Sequence, residues 1–348
     1  MNNIFTLIDK LKAERTLPKE EYIRLITCTD PDALEYLRQT ADTVRKSVYG
    51  NTVYIRGLVE FTNYCKNDCL YCGIRRSNTA ALRFRLTEEQ ILDCAEEGYR
   101  LGFRTIVLQG GEDPHFTDAR LIPIVQTLRN RFPDCAITLS VGERSRKSYE
   151  ALFAAGANRF LLRHETANAC HYAKLHPEEL TLANRMRCLR DLRDIGYQVG
   201  CGFMVGSPWQ TAEHIAEDLL FLGEFKPHMV GIGPFIPHRD TPFRDMAAGT
   251  AEDTIKLLST IRLILPNVLL PATTALGTIS PNGRERGILA GANVIMPNLS
   301  PSDAREKYML YNNKLSSGDE AAENLAHLKQ SMAAIGYEIV TDRGDYKE

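Results

Sequence analysis

From residue 53 to residue 296, short apolar runs alternate with helical patterns, which predicts an α/β fold, a (β/α)8 TIM barrel. Two further observations favour the closed barrel. The apolar runs number eight, and 348 residues suffice for one barrel with helical additions at both ends. An open doubly wound sheet shares this periodicity, so closure rests on the count and the length.

The elements follow in order. Residues 3–48 are polar-amphipathic and read as a helical lead-in, within an N-terminal extension of 1–50. Asp30-Pro31-Asp32 opens a helix there, with Pro31 at the first helical position, where its missing N–H is not needed. Strands are expected at 53–61, 105–109, 136–141, 159–163, 198–205, 229–236, 269–274 and 294–296. Between them, helical periodicity covers 87–101, 118–131, 146–155, 181–195, 211–221, 250–265 and 283–289. Thr87 and Gln90 form a capping box at the first of these. The barrel is expected to span 51–302, with a tail of two packed helices over 303–348.

Bulk properties exclude some functions. Net charge is −2 and the pI is near 6.5, so no basic excess points to nucleic acid. No run of 18 apolar residues offers a membrane span. Met1-Asn2-Asn3-Ile4-Phe5 lacks the basic segment and apolar core of a signal peptide. Nine cysteines without an export signal read as reduced thiols in a cytoplasmic protein.

The spacing of three of those cysteines carries the chemistry. Cys65, Cys69 and Cys72 form C-x3-C-x2-C in the loop expected after strand 1. Three thiolates on one tight loop can hold three irons of a cubane cluster and leave the fourth open to a ligand. Zinc also takes thiolates, but a structural zinc site needs a fourth ligand, usually from a second spaced pair. Cysteines 28, 94, 135, 170, 188 and 201 contain no second C-x2-C. They read as small apolar residues.

Active-site groups of such barrels gather at the C-terminal ends of strands. Strand 2 ends in Gln109-Gly110-Gly111-Glu112, where paired glycines permit close approach to the backbone. Strand 4 ends in Arg163-His164-Glu165-Thr166. Arg159 and Arg163, four apart, share strand parity and hence a barrel face. Strand 6 carries Gly231, Gly233, Pro234 and Pro237, which indicate a bulge or close backbone approach. Strand 7 ends in Thr273-Thr274, two hydroxyls able to bind an anion.

The cysteine spacing, with Tyr71 before the third cysteine, resembles the radical S-adenosyl-L-methionine (SAM) enzymes. That resemblance implies a [4Fe-4S] cluster on Cys65, Cys69 and Cys72, with SAM chelated at the open iron and cleaved reductively to a 5′-deoxyadenosyl radical. Further segments, including Leu108–Pro114, Leu161–Asn168, Gly231–His238, Pro271–Thr278 and Ala292–Asn298, resemble the HydE family of [FeFe]-hydrogenase maturases. The likeness runs from about residue 1 to about residue 312. It implies a role in H-cluster assembly, acting on a cysteine-bound Fe(CO)2(CN) complex with the radical attacking sulfur. It implies other hydrogenase maturases and a low-potential electron donor, of ferredoxin or flavodoxin type, as partners. By motif, it implies that Gln109, Gly110, Gly111, Glu165, Arg185, Met204, Tyr308 and Tyr311 would contact SAM and that Tyr71 would touch the adenine. It implies too that Thr138, Arg159, Arg163, Thr273 and Thr274 would line the substrate cavity.

Two departures stand out. Some family members hold a second cluster near the C-terminus, but no cysteine follows residue 201 here. Some have Ser where this chain has Gly110. Two related families remain as alternatives: a methylornithine synthase-like mutase acting on lysine, and biotin synthase-like sulfur insertion. The latter requires a second cluster inside the barrel, for which Cys135 and the single Cys201 are poorly placed.

Overall fold

A computed structural model describes residues 3–316 and 322–348. Residues 1–2 of the expected N-terminal extension and 317–321 of the expected tail lie outside the described residues. Three helices lead in: α1 (Ile4–Glu14), α2 (Lys19–Ile26) and α3 (Pro31–Tyr49). Pro31 opens α3, and the Asp30 side chain caps it by accepting from Asp32 N–H (3.0 Å).

The repeating units follow. Strand 1 is two pieces, β1 (Thr52–Ile55) and β2 (Gly57–Thr62), then α4 (Glu88–Arg100). Next come β3 (Thr105–Gly110), α5 (Asp118–Arg131), β4 (Ala136–Ser140) and α6 (Arg146–Ala154). β5 (Arg159–Leu161) leads to α7 (Ala169–Leu175) and α8 (Leu182–Ile195). β6 (Gln198–Cys201) and β7 (Met204–Val205) precede α9 (Ala212–Phe225), and β8 (Met229–Val230) and β9 (Gly233–Pro234) precede α10 (Ala251–Ile264). After α11 (Thr274–Ile279) and α12 (Gly283–Leu289) comes β10 (Val294–Ile295).

The barrel is closed. β2, β3, β4, β5, β6 and β8 are parallel neighbours in that order. Met229 bridges Leu269, Pro271 bridges Val294, and β10 pairs with β1 through Tyr54↔Val294. Strand 7 is thus reduced to 269–271; Thr273 immediately precedes α11 without a side-chain cap and Thr274 begins the helix, against an expected strand of 269–274. The expected helix 211–221 runs on to Phe225. Strand faces packed on helices form one apolar core, with Val59, Phe61, Leu108, Leu139, Phe160 and Val199 almost wholly buried. α3 packs against α10, and α2 against α9.

The tail holds two helices, as expected, and adds a strand. α13 (Ser302–Lys307) and α14 (Leu325–Ala334) are followed by β11 (Glu338–Val340), parallel to β1. The chain then crosses the N-terminal end of the barrel. There Arg159, first residue of β5 and fully buried, donates to Gln198 Oε1 (3.0 Å), Thr105 Oγ1 (3.1 Å), the carbonyls of Arg343 (2.9 Å) and Gly344 (3.1 Å), and Asp345 Oδ1 (2.8 Å). Arg159 therefore ties the tail across the barrel floor and does not line a substrate cavity. Parity shared with Arg163 bears on the strand face and says nothing about depth along the axis. No helix among the described residues is long and apolar enough to cross a membrane.

Candidate active site

The three cysteines lie on the irregular loop after β2, at the C-terminal end of the barrel. Hydrogen bonds hold this loop in place of regular structure. Lys66 N–H donates to Glu112 O (2.9 Å), and Arg76 N–H to Asn67 O (2.8 Å). The Arg83 guanidinium gathers the carbonyls of Ile74 (2.8 Å), Arg75 (2.6 Å) and Asn78 (3.1 Å). Arg75 Nε donates to Asp68 Oδ1 (2.7 Å), and this bond holds the Asp68 carboxyl well below the usual range.

The glycines around the loop have a packing reason. A Cβ on Gly111 would lie 2.2 Å from Tyr64 O and 2.8 Å from Cys65 Cβ. The backbone after β3 therefore rests directly on the cysteine loop. On the other side Gly73 donates to Leu310 O (2.8 Å), and a Cβ there would lie 2.1 Å from Met309 O. The cysteine loop is clamped between Gly111 and the tail segment 308–311.

All three thiols are free of disulfides and line one cavity of about 350 Å³. Burial pushes the Cys72 thiol up to about 12, with Cys65 adding to it. Burial raises Cys69 too, and Cys72 and Cys65 raise it further, as expected of thiols within electrostatic reach of one another. Among the described residues no three His, Cys, Asp or Glu side chains converge on a single ion. A cubane gives each thiolate its own iron, so such convergence is not what it requires.

The structure brings most of the expected residues to this cavity. Its lining includes Tyr71, Gln109, Gly110, Gly111, Glu165, Arg185, Met204, Tyr308 and Tyr311, together with Arg163, Thr273 and Thr274. Thr138 is not among them. It sits deeper in β4, beside Arg159 in the register, and its buried Oγ1 has no hydrogen-bond partner.

Polar groups at the mouth are arranged in a chain. Arg185, on α8, is buried; its Nε donates to Glu143 Oε1 (2.6 Å) and its Nη1 to the Arg163 carbonyl. Burial opposes the Arg185 charge, but Tyr172 and Glu143 outweigh it and raise the pKa. Arg163 Nη2 lies 3.1 Å from Glu165 Oε2, without hydrogen-bond geometry, and its Nε has no partner. Tyr71 is half-buried and packs edge-on against His176, hydroxyl to Nε2 at 3.3 Å. Thr273 Oγ1 is also unpartnered.

Sequence reasoning missed one group. Glu60 on β2 is fully buried and lines the cavity, with Lys314 Nζ at 2.9 Å and Asn298 Nδ2 donating to it at 2.8 Å. A charge inside the run Leu58-Val59-Glu60-Phe61 was the available signal, because a buried carboxylate needs a partner. Lys314, 254 residues away, carries no local signal of its own.

The donor set suits the two groups that the radical SAM resemblance implies, a [4Fe-4S] cluster and SAM. Three thiols can each take an iron. A carboxylate (Glu165), an amide (Gln109) and a guanidinium (Arg185) lie around the same space and can receive the charged ends of an amino acid.

Comparison with known proteins agrees with this geometry. Residues 59–222 match the radical SAM superfamily. The [FeFe] hydrogenase maturase subunit HydE of Thermotoga maritima is 44% identical over 309 residues, covering 89% of this chain and 88% of that protein. The 3-methylornithine synthase of Methanosarcina acetivorans is 28% identical, covering 83% and 81%. The crystal structure of methylornithine synthase (PylB) superposes with a TM-score of 0.83 at 25% identity, covering 96% and 97%. A fold, a cysteine loop and a sequence likeness that spans nearly the whole chain lead to one assignment: the chain is a radical SAM enzyme and belongs to the HydE family of that superfamily.

Proposed function

We propose that the protein acts in [FeFe]-hydrogenase maturation, on a cysteine-bound Fe(CO)2(CN) complex during H-cluster assembly. The observation that carries this reading is the continuity of one cavity. It runs from the three cysteine thiols to Arg163, Thr273 and Thr274, so an anionic substrate could lie next to the reacting centre. Cys65, Cys69 and Cys72 would hold the [4Fe-4S] cluster, which when bound supplies the electron that cleaves SAM to methionine and a 5′-deoxyadenosyl radical. Glu165, Gln109 and Arg185 would orient the amino-acid part of SAM, and Tyr71 and Met204 would flank its adenosine. Arg163 would hold the substrate's negative charge through its unpartnered Nε. Tyr308 and Tyr311, on the segment clamped over the loop, would screen the site from water. A low-potential donor of ferredoxin or flavodoxin type, other hydrogenase maturases and a cytoplasmic setting complete the proposal.

A second reading is favoured by the likeness to methylornithine synthase: a mutase acting on lysine. One assay separates the two. The protein is reconstituted anaerobically, reduced with SAM, and assayed for 5′-deoxyadenosine with the iron complex, with lysine and with neither. Stimulation by the complex, or an adenosyl–sulfur adduct, supports the maturase. Stimulation by lysine alone transfers the assignment to the mutase.

A further inference from the structure

We propose that the buried His164–Asp218 pair is a brace that holds Glu165 in a left-handed backbone conformation, the conformation from which its carboxylate reaches the cavity. Glu165 has φ of 65°. Four other described non-glycine residues share that region. Arg15 and Lys226 are helix C-caps, where it is ordinary, and Trp209 and Asn313 are exposed. Glu165 alone among them is buried, on a loop between β5 and α7. A non-glycine residue persists in such a conformation only when its surroundings over-determine it.

The surroundings do so from both sides. Asp218, on α9, is wholly buried. Its Oδ1 accepts from Ala167 N–H (2.6 Å) and lies 3.1 Å from His164 Nε2. One carboxylate oxygen thus fixes the chain one residue before Glu165 and two residues after it. The other nitrogen settles the tautomer. His164 Nδ1 accepts from Gly202 N–H (3.3 Å), so the imidazole proton is on Nε2 and is donated to Asp218. Gly202 O in turn accepts from Glu165 N–H (3.0 Å), and Met204 N–H donates to Glu165 O (3.4 Å). The His164 ring is wedged against Phe203 and Phe221. None of these contacts reaches the cavity through His164 or Asp218 themselves, so both are positioning residues.

The functional consequence rests on the reading of Glu165 as a SAM ligand; the mechanical one does not. Two measurements keep them apart. In the apo protein, hydrogen exchange of the 163–168 backbone is compared between wild type and Asp218→Leu. In the reconstituted protein, the SAM Kd is measured for Asp218→Leu, Asp218→Asn, Glu165→Gln and the double variant Asp218→Leu/Glu165→Gln. Asp218→Leu should speed exchange in that loop and raise the Kd about tenfold, the size of one lost charged hydrogen bond. Asp218→Asn retains the Oδ1 acceptor and should restore both. The double variant should bind no more weakly than Glu165→Gln, because the brace acts only through that side chain. Unchanged loop exchange in Asp218→Leu, or additive losses in the double variant, would overturn the brace. If Asp218→Leu does not fold, His164→Phe keeps the ring packing, removes both nitrogens and carries the same expectations. An unaltered Kd in Glu165→Gln would instead remove Glu165 from the SAM site, leaving the exchange result to decide the brace.

Discussion

The two ends of the barrel use the same residue in opposite ways. Arg159 and Arg163 come from one strand region, four residues apart, about 13 Å at ordinary strand rise. At the floor, every nitrogen of Arg159 has a protein partner, and the C-terminal tail supplies three of those bonds. At the mouth, Arg163 Nε has no partner, Thr273 Oγ1 has none, and three thiols stand together around a cavity. A buried polar group left without a partner costs stability, and Arg163 Nε and Thr273 Oγ1 are such groups on the wall of a cavity large enough to hold a ligand. The floor is assembled for cohesion and the mouth for chemistry.

The largest effect should separate the two ends outright. Cys69→Ala should reduce cluster content and SAM cleavage to background while the apo protein keeps its melting temperature, measured by iron analysis, 5′-deoxyadenosine release and circular dichroism. Loss of folding would mean that the mouth also carries structural load. Next, Gly111→Ala places a methyl 2.2 Å from Tyr64 O, which is backbone and cannot turn aside. It should displace the cysteine loop, cutting iron incorporation several-fold with little change in secondary structure. Normal iron loading would contradict the clamp.

At the floor, Arg159→Met should destabilise the fold by about 2–4 kcal/mol through its lost bonds. SAM cleavage per folded molecule should be retained. A selective loss of turnover at unchanged stability would return Arg159 to the substrate site. Arg185→Ala should weaken SAM binding by about 1–3 kcal/mol, seen as a higher Kd in equilibrium binding. An unchanged Kd would limit Arg185 to its bonds with Glu143 and Arg163. Thr138→Val is the smallest change. It replaces an unpartnered buried hydroxyl and should alter stability by less than about 1 kcal/mol, leaving basal SAM cleavage intact. A fall in turnover only with the iron complex would show that the substrate reaches this depth.

These contrasts also mark what the sequence could disclose. The eight-fold alternation was legible because strand and helix periods are local, and the cysteine loop because its ligands are close in sequence. The depth of Arg159 was not legible, since period-two alternation assigns a face and not a level. β11 escaped notice because three residues, Glu338–Val340, carry too little pattern, and its partner strand β1 is nearly 290 residues earlier. The Glu60–Lys314 pair is hidden for the same reason: each half makes sense only beside the other. The glycines of strand 2 point to close backbone approach; a Cβ on Gly111 would meet the cysteine loop itself, and one on Gly110 would meet Thr62 on β2.

The most direct test of the mouth as a radical SAM centre is electron paramagnetic resonance of the reduced, reconstituted protein with and without SAM, alongside iron analysis. About one cubane per chain, with a signal that shifts when SAM is added, is the result expected for three thiolates and an open iron. A signal indifferent to SAM, or a reproducible second cluster per chain, would contradict it.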